Sequence, residues 1–229
     1  MNKTNIKEIA DKLKAAQCPL ILTGAGASTH LGVPDFRSED TGLYIGESSI
    51  MEWMTEDYRD RVGEQAYQRK FEEISQLILD KAPQYAKVVN DNEADSVHEN
   101  IDIIAEKTGA VILTQNVDML HKIISKRRGS AVKVVEAHGS ADSPKDIVLF
   151  GSMLPKSAND TITAARNGKY DYCLVLGSSL QVGPVNSVPR YIRNYDIIAK
   201  DKSSVSDMYT KNIHESEVEP FLAELVKFL

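Results

Sequence analysis

Short, almost wholly apolar runs punctuate this chain, and between them apolar residues recur at helical spacing. Pro19 to Thr23, Ala110 to Thr114, Val132 to Glu136, Ile147 to Phe150, Tyr172 to Leu176 and Asp196 to Ala199 are mostly too apolar for strands with one wet face, and so predict central parallel strands. Helices are predicted at Ile6 to Ala16, Gln65 to Leu79, Ala94 to Glu106, Val117 to Ser125, Asn159 to Arg166, Val185 to Arg193 and Glu217 to Phe228. Ser216 and Glu219 stand in capping-box spacing at the start of the last. Strands alternating with helices predict an α/β fold with a doubly wound parallel sheet, whose ligand crevice lies beyond the carboxyl ends of the strands. From about Asp35 to Asn100 the chain is strand-poor and charged, far longer than an ordinary crossover. A small helical lobe, inserted over approximately residues 35–106 of a single domain spanning 1–229, is the expectation.

Composition narrows the partners more than the fold. A formal charge of −6 argues against a broad basic surface, so no direct nucleic-acid partner is expected. Cys18 and Cys173 are the only cysteines, too few for a disulfide framework or a cysteine-rich metal site, and both are expected as buried thiols. Met1 to Gln17 lacks the apolar core of a signal peptide, and no stretch reaches the ~18 apolar residues of a membrane span. No membrane association is expected, and the cytoplasm is the expected compartment.

Polar chemistry gathers where the strands end. Gly24 and Gly26 follow the first strand, and would let the backbone approach a pyrophosphate at the start of a helix, although Thr29 occupies the third glycine position of a dinucleotide fingerprint. A tight strand-to-helix turn explains the same two glycines equally well. Gln115, Asn116 and Asp118 should stand at the carboxyl end of the second strand, His138 at the end of the third, and Gly177, Ser178 and Ser179 at the end of a later one. Between them, Asp35, Phe36 and Arg37 put an acid, an aromatic ring and a guanidinium in a loop shaped by Gly32 and Pro34.

Six segments in order, GAGAS (24–28), GVPDFRS (32–38), TQNVDMLH (114–121), EAHGS (136–140), VLFGSMLP (148–155) and GSSLQVGP (177–184), resemble the successive motifs of the sirtuin family and span most of the chain. The resemblance implies a Rossmann-like core and an enzyme that consumes NAD to deacylate lysine side chains of a protein or peptide, forming O-acyl-ADP-ribose and releasing nicotinamide. It implies that Gly24, Ala25, Gly26 and Ser28 line the NAD site, with Asp35, Phe36 and Arg37 in a cofactor loop where Phe36 covers the nicotinamide end. By the same resemblance Gln115 and Asn116 contact the nicotinamide ribose, Asp118 holds the carboxamide, and Gly177, Ser178 and Ser179 meet phosphate or ribose. His138 is implied as general base, with Asn116 and Asp118 completing the catalytic set. Val148, Phe150 and Gly151 are implied to border the acyl-lysine tunnel, opposite Val182 and Pro184.

The chain departs from that family in three places. Most sirtuins hold a structural zinc on two cysteine pairs between the His-Gly and Phe-Gly motifs, whereas only Ala141 to Lys145 separate Ser140 from Asp146 here, so no zinc is expected. Ser152 replaces the acid usual after Phe-Gly, and Lys200 stands where an Asn is common near the adenosine ribose. Two other functions stay open at this point: ADP-ribosyl transfer or NAD hydrolysis, and a catalytically weak NAD-binding sensor. The oligomeric state is open as well. His30, His98 and His214 are expected as surface or satisfied core histidines, and His121 as a packing or capping residue. Trp53, Tyr44, Tyr58 and Tyr67 are expected to pack in the lobe, and Glu72, Glu73 and Lys126 to Arg128 to be solvated charges.

Overall fold

The computed structural model describes residues 1–34, 44–45, 48–49 and 54–229. In chain order its elements are α1 (Lys3–Ala15), β1 (Pro19–Thr23), the paired β2 (Tyr44–Ile45) and β3 (Ser48–Ser49), α2 (Glu56–Val62), α3 (Glu64–Lys81), α4 (Pro83–Asp91), α5 (Ser96–Thr108), β4 (Val111–Thr114), α6 (Leu120–Arg128), β5 (Val134–Glu136), α7 (Lys156–Arg166), β6 (Tyr172–Leu176), α8 (Val188–Ile192), β7 (Tyr195–Ala199), β8 (Ile213–Glu215) and α9 (Val218–Leu225). Six strands form one parallel sheet in the order β5-β4-β1-β6-β7-β8. The chain therefore winds outward from β1 to one edge, returns, and winds outward to the other. Its switch point lies between β1 and β6, where a doubly wound sheet opens a crevice.

Both faces of the sheet are buried, as the apolar runs require. Ile21, Ile112, Leu174, Leu176 and Ile198 face one core, formed with Ile6, Ile9 and Leu13 of α1, Ile101 and Ile104 of α5, and Phe221 and Leu222 of α9. On the opposite face Leu20, Leu22, Leu113, Val175 and Ile197 pack with Ala158 and Ile162 of α7 and Val188 of α8. Although α5 falls inside the stretch expected as an inserted lobe, it belongs to the sheet's own covering layer. Leu31, Ala82, Tyr85, Val88 and Leu120 form a smaller cluster that joins α4 to α6 and to the loop after β1.

Four expectations need correction. Ile147 to Phe150 is not a strand: Val148 N donates to His138 O (3.0 Å), Phe150 N to Met54 O (2.7 Å), and a single bridge pairs Phe150 with Thr55. Its backbone is satisfied by two loops, so its apolar run reports burial and not a ladder. The helix expected over Val185 to Arg193 is split into a 3-10 turn, Val185–Ser187, and the short α8, because Pro189 has no N–H to continue an α-helical ladder. The capping box at α9 does not form; Glu217 is its N-cap without a side-chain bond, and Ser216 Oγ donates to Glu217 O (3.0 Å). Finally, the run Lys126 to Arg128 is not simply solvated. Arg128 pairs with the buried Asp102 (2.7 Å) and with Glu106 (3.0 Å), and Arg127 donates to Val88 O and Glu93 O, fastening α6 to α5 and to the end of α4.

Other signals are local and legible. Asn2 caps α1 by accepting from Asn5 N (2.9 Å), and Asp95 caps α5 by accepting from Val97 N (3.1 Å) and His98 N (3.4 Å). Two short helices, α2 and α4, and the edge strand β8 were not predicted. They are seven, nine and three residues long, too short for a period to register. Of the two thiols, Cys173 is buried, while Cys18 is only partly so. Tyr67 is buried on α3, and Tyr58 is half-buried on α2; Trp53 and the side chain of Tyr44 lie outside the described residues. Among the described residues no helix is long and apolar enough to cross a membrane.

Candidate active site

The ends of β1 and β6 meet back to back. Gly24 N donates to Leu176 O (3.1 Å) and Gly26 N to Gly177 O (2.8 Å), continuing the ladder into the two loops. A Cβ on Gly26 would lie 2.8 Å from Gly177 Cα, and one on Gly24 would lie 2.8 Å from Ser178 Cα, closer than real carbons approach. These glycines are thus required by the contact between two backbones, not only by a ligand. The helix expected directly after them does not form: Ala25–Ala27 and Thr29–Leu31 are separate 3-10 turns.

Above these loops runs a cleft of about 990 Å³, at the upper end of the range for ligand pockets. Its walls include His138, Val148, Phe150 and Gly151, and also Lys200, Asp201, Glu217 and Glu219. Of the residues nominated from sequence, Gly24, Ala25, Gly26, Gln115, Asn116, His138, Val148, Phe150, Gly151, Gly177, Ser178, Ser179, Val182 and Pro184 all line it. Ser28 and Asp118 do not. Asp35, Phe36 and Arg37 lie outside the described residues.

Behind the wall a chain of hydrogen bonds fixes the polar lining. Asn116 Nδ2 donates to Gly24 O (3.1 Å) and to Ser28 Oγ (3.1 Å), and Ser28 Oγ donates to Asp118 Oδ2 (2.6 Å). The other oxygen of Asp118 accepts from Leu120 N (3.1 Å), and Tyr85 OH donates to Asp118 O (3.2 Å). Asp118 therefore sits two hydrogen bonds behind Asn116, through Ser28, with both carboxylate oxygens engaged, where the resemblance implied a direct contact with ligand. Ser178 Oγ donates to Gln115 Oε1 (2.6 Å), which fixes the Gln115 amide.

The protonation state of His138 follows from its partner. Its Nδ1 lies 3.0 Å from Gln115 O, and a carbonyl can only accept, so Nδ1 carries the hydrogen and Nε2 is left as the basic nitrogen. Burial lowers its pKa below the usual imidazole value, and the hydrogen bond to Gln115 opposes that shift only in part. His138 is neutral at pH 7, as a base must be.

Sequence reasoning missed His30, Asp201, Glu217 and Glu219 as cleft residues, because nothing local marks a side chain that reaches the cleft from a turn or from another strand's loop. His30 is 20% exposed at its side chain and bonds to the buried Asp95 (2.8 Å), which also holds His98 Nδ1. Burial raises the Asp95 pKa, but bonds from both histidines outweigh it and the net shift is downward. His30, Asp95 and His98 make a conceivable metal-ligand set. Their nitrogen-to-oxygen separations of 2.5 and 2.8 Å are hydrogen-bond spacings, tighter than the ~3.3 Å between donors on a tetrahedral zinc with bonds of about 2.0 Å. As placed, the three residues are joined by hydrogen bonds. His121 is buried outside the cleft, bonded to Thr23 Oγ1 (2.9 Å) and packed edge-on against His98. Burial first, then His98, lowers its pKa well below the usual value. His214, at the other edge, bonds to the buried Asp196 (2.7 Å).

A doubly wound sheet whose switch-point crevice is walled by glycine loops, amides and a neutral imidazole is the architecture of a dinucleotide-using α/β protein. The Sir2 family model matches residues 24–145. NAD-dependent protein deacetylase 2 of Geobacillus kaustophilus is 30% identical over 220 residues, covering 82% of this chain and 81% of that protein. The NAD-dependent protein deacetylase of Listeria monocytogenes is 29% identical over 255 residues, covering 98% and 100%. This chain belongs to the Sir2 family. The fold agrees: a solved Sir2 enzyme superposes with a TM-score of 0.74 at 24% identity, covering 99% of this chain and 98% of that one, and a Sir2–p53 peptide–NAD+ complex with 0.71 at 22%, covering 97% of both.

Proposed function

We propose that this cleft uses NAD to remove acyl groups from lysine side chains of a protein or peptide, with His138 as general base. The observation that carries this reading is His138 itself: a neutral imidazole with Nδ1 committed to Gln115, lining the same cleft as the glycine loops at the switch point. Binding NAD alone would not call for such a base. NAD brings a cationic nicotinamide leaving group, whose departure opens the ribose carbon to a weak nucleophile such as an amide oxygen. The chain's own residues supply position and proton transfer. Gln115 and Asn116, each locked by hydrogen bonds, offer fixed polar contacts in the cleft, and Asp118 acts through Ser28 to hold Asn116 in place. His138 Nε2 takes a proton from a ribose hydroxyl, a step typically worth about 10²–10⁴ in rate. Val148, Phe150 and Gly151, with Val182 and Pro184 in the same cleft, offer an apolar lining suited to an acyl chain.

Incubation of the protein with NAD, with and without acyl-lysine peptides, tests this by following nicotinamide and deacylated peptide by mass spectrometry. Nicotinamide release that depends on acyl peptide, with matching loss of the acyl group, is the expected result. Release independent of peptide would instead indicate capture by water, a mass gain on protein would indicate ADP-ribosyl transfer, and no release would leave a binding protein.

A further inference from the structure

The segment that walls the proposed acyl-lysine end, Val148 to Leu154, lies in no strand or helix, yet it must hold Val148, Phe150 and Gly151 beside His138. Two hydrogen bonds tie it to the start of the helical layer: Phe150 N donates to Met54 O (2.7 Å), and Ser152 Oγ donates to Glu56 Oε1 (2.6 Å). Glu56 is the first residue of α2, directly after the N-cap Thr55, whose Oγ1 accepts from Tyr58 N (3.1 Å). Its carboxylate is therefore seated by a capped helix and favoured by the helix dipole. The second carboxylate oxygen lies 3.7 Å from where a Cβ on Gly151 would stand, so the acid spans the Gly151–Ser152 turn. Beyond this turn Met153 is 91% exposed, and the segment is next tied at Leu154 O, which accepts from Asn159 Nδ2 (2.8 Å).

We propose that Glu56 and Ser152 form a latch that positions the Phe150–Gly151 edge of the cleft for the acylated substrate, and not for NAD. In the sequence Ser152 stands alone as a small polar residue; only the fold brings it a carboxylate from nearly a hundred residues away. The loops at Gly24 and Gly177 have their own backbone bonds and do not depend on this one. Both latch groups are positioning residues: they act through Phe150 and Gly151.

The substrate assignment rests on the deacylase reading, so the test has one arm that needs no substrate. In the full chain, Ser152→Ala and Glu56→Ala each raise the KM for an acyl-lysine peptide roughly five- to tenfold, less than the full worth of a hydrogen bond to a carboxylate because the latch acts only through Phe150 and Gly151. The KM for NAD stays within about twofold. Ser152→Thr and Glu56→Gln, which keep the donor and the acceptor, restore the peptide KM, and the double alanine variant is no worse than either single one. An equal rise in both KM values, or losses that multiply in the double variant, overturns the latch. Separately, amide exchange at Phe150 and Ser152, whose N–H groups donate to Met54 O and Leu149 O, speeds in both alanine variants; unchanged exchange overturns the latch whatever the wild-type substrate proves to be. Failure of the wild type to deacylate any peptide, with exchange still faster in the variants, would remove the deacylase reading and leave the latch standing.

Discussion

Replacing Gly177 by Ala should unseat the junction on which the whole cleft is built. Gly177 has φ +61°, and a Cβ there would lie 2.5 Å from Gly26 C, 2.6 Å from Ala27 N and 2.7 Å from Gly26 Cα. Carbon atoms prefer to stay about 3.5–4.0 Å apart, so relief needs a shift of roughly 1 Å between two backbones, with no rotamer to absorb it. The left-handed conformation alone costs an alanine about 1 kcal/mol. Weakening the bond from Gly26 N to Gly177 O and forcing the loops apart should bring the loss to ~3–5 kcal/mol, a large share of the ~5–15 kcal/mol that holds a typical domain. Gly129 supplies the control, since it ends α6 at φ +66° and a Cβ there meets nothing within 4 Å. Gly129→Ala should therefore lose only about 1 kcal/mol. Urea unfolding of both variants measures stability, and NAD titration of the folded proteins measures the site. A Gly177→Ala protein no less stable than Gly129→Ala, or one that binds NAD as the wild type does, would refute the view that this contact shapes the cleft.

Other expectations follow from single groups. His138→Gln should abolish multiple turnover while leaving NAD affinity within about threefold, because the residue supplies a proton acceptor and its loss removes a factor of about 10²–10⁴ in rate; steady-state assays and calorimetric titration read the two effects. As burial lowers the His138 pKa, the acid limb of kcat/KM should fall below pH ~6.5, the ordinary imidazole value, and a limb above it would contradict the buried, Gln115-bonded imidazole. The downward shift of Asp95 means that its carboxylate stabilises the fold above its unfolded pKa of about 3.9 and loses that effect as pH falls through its lower folded value. The stability advantage of wild type over Asp95→Asn, followed by thermal unfolding, should thus persist down to about pH 4 and shrink below it. Arg128→Ala strips the buried Asp102 of its charged partner, although Ser125 and Ser130 still donate to it, and should cost ~2–3 kcal/mol in chemical denaturation.

What could be read from the chain alone depended on how local each signal was. Five of the six predicted strands exist, because a strand buried on both faces must be apolar throughout and needs no partner to look so. Ile147 to Phe150 carries the same composition and is a loop, since composition records burial and says nothing of where the backbone donors go. In the site, Gly24, Gln115, Asn116, His138, Gly177 and Ser178 all line the cleft, each following a strand that ends at the crevice. His30, Glu217 and Glu219 carry no such local mark, because they reach the cleft from a turn and from beyond β8, positions set by winding and not by neighbouring residues.

The linear order of residues determined the alternation of strands and helices, the clustering of polar groups at strand ends, and membership of a family through six spaced motifs, since each of these depends on neighbours in the chain. Tertiary structure alone decided that Gly24, Gly26 and Gly177 serve a backbone-to-backbone contact, that His138 carries its proton on Nδ1, that Asp118 stands behind Asn116, and that Ser152 meets Glu56. Each of these is a distance between residues far apart in sequence, and such distances exist only once the sheet has wound in both directions from β1.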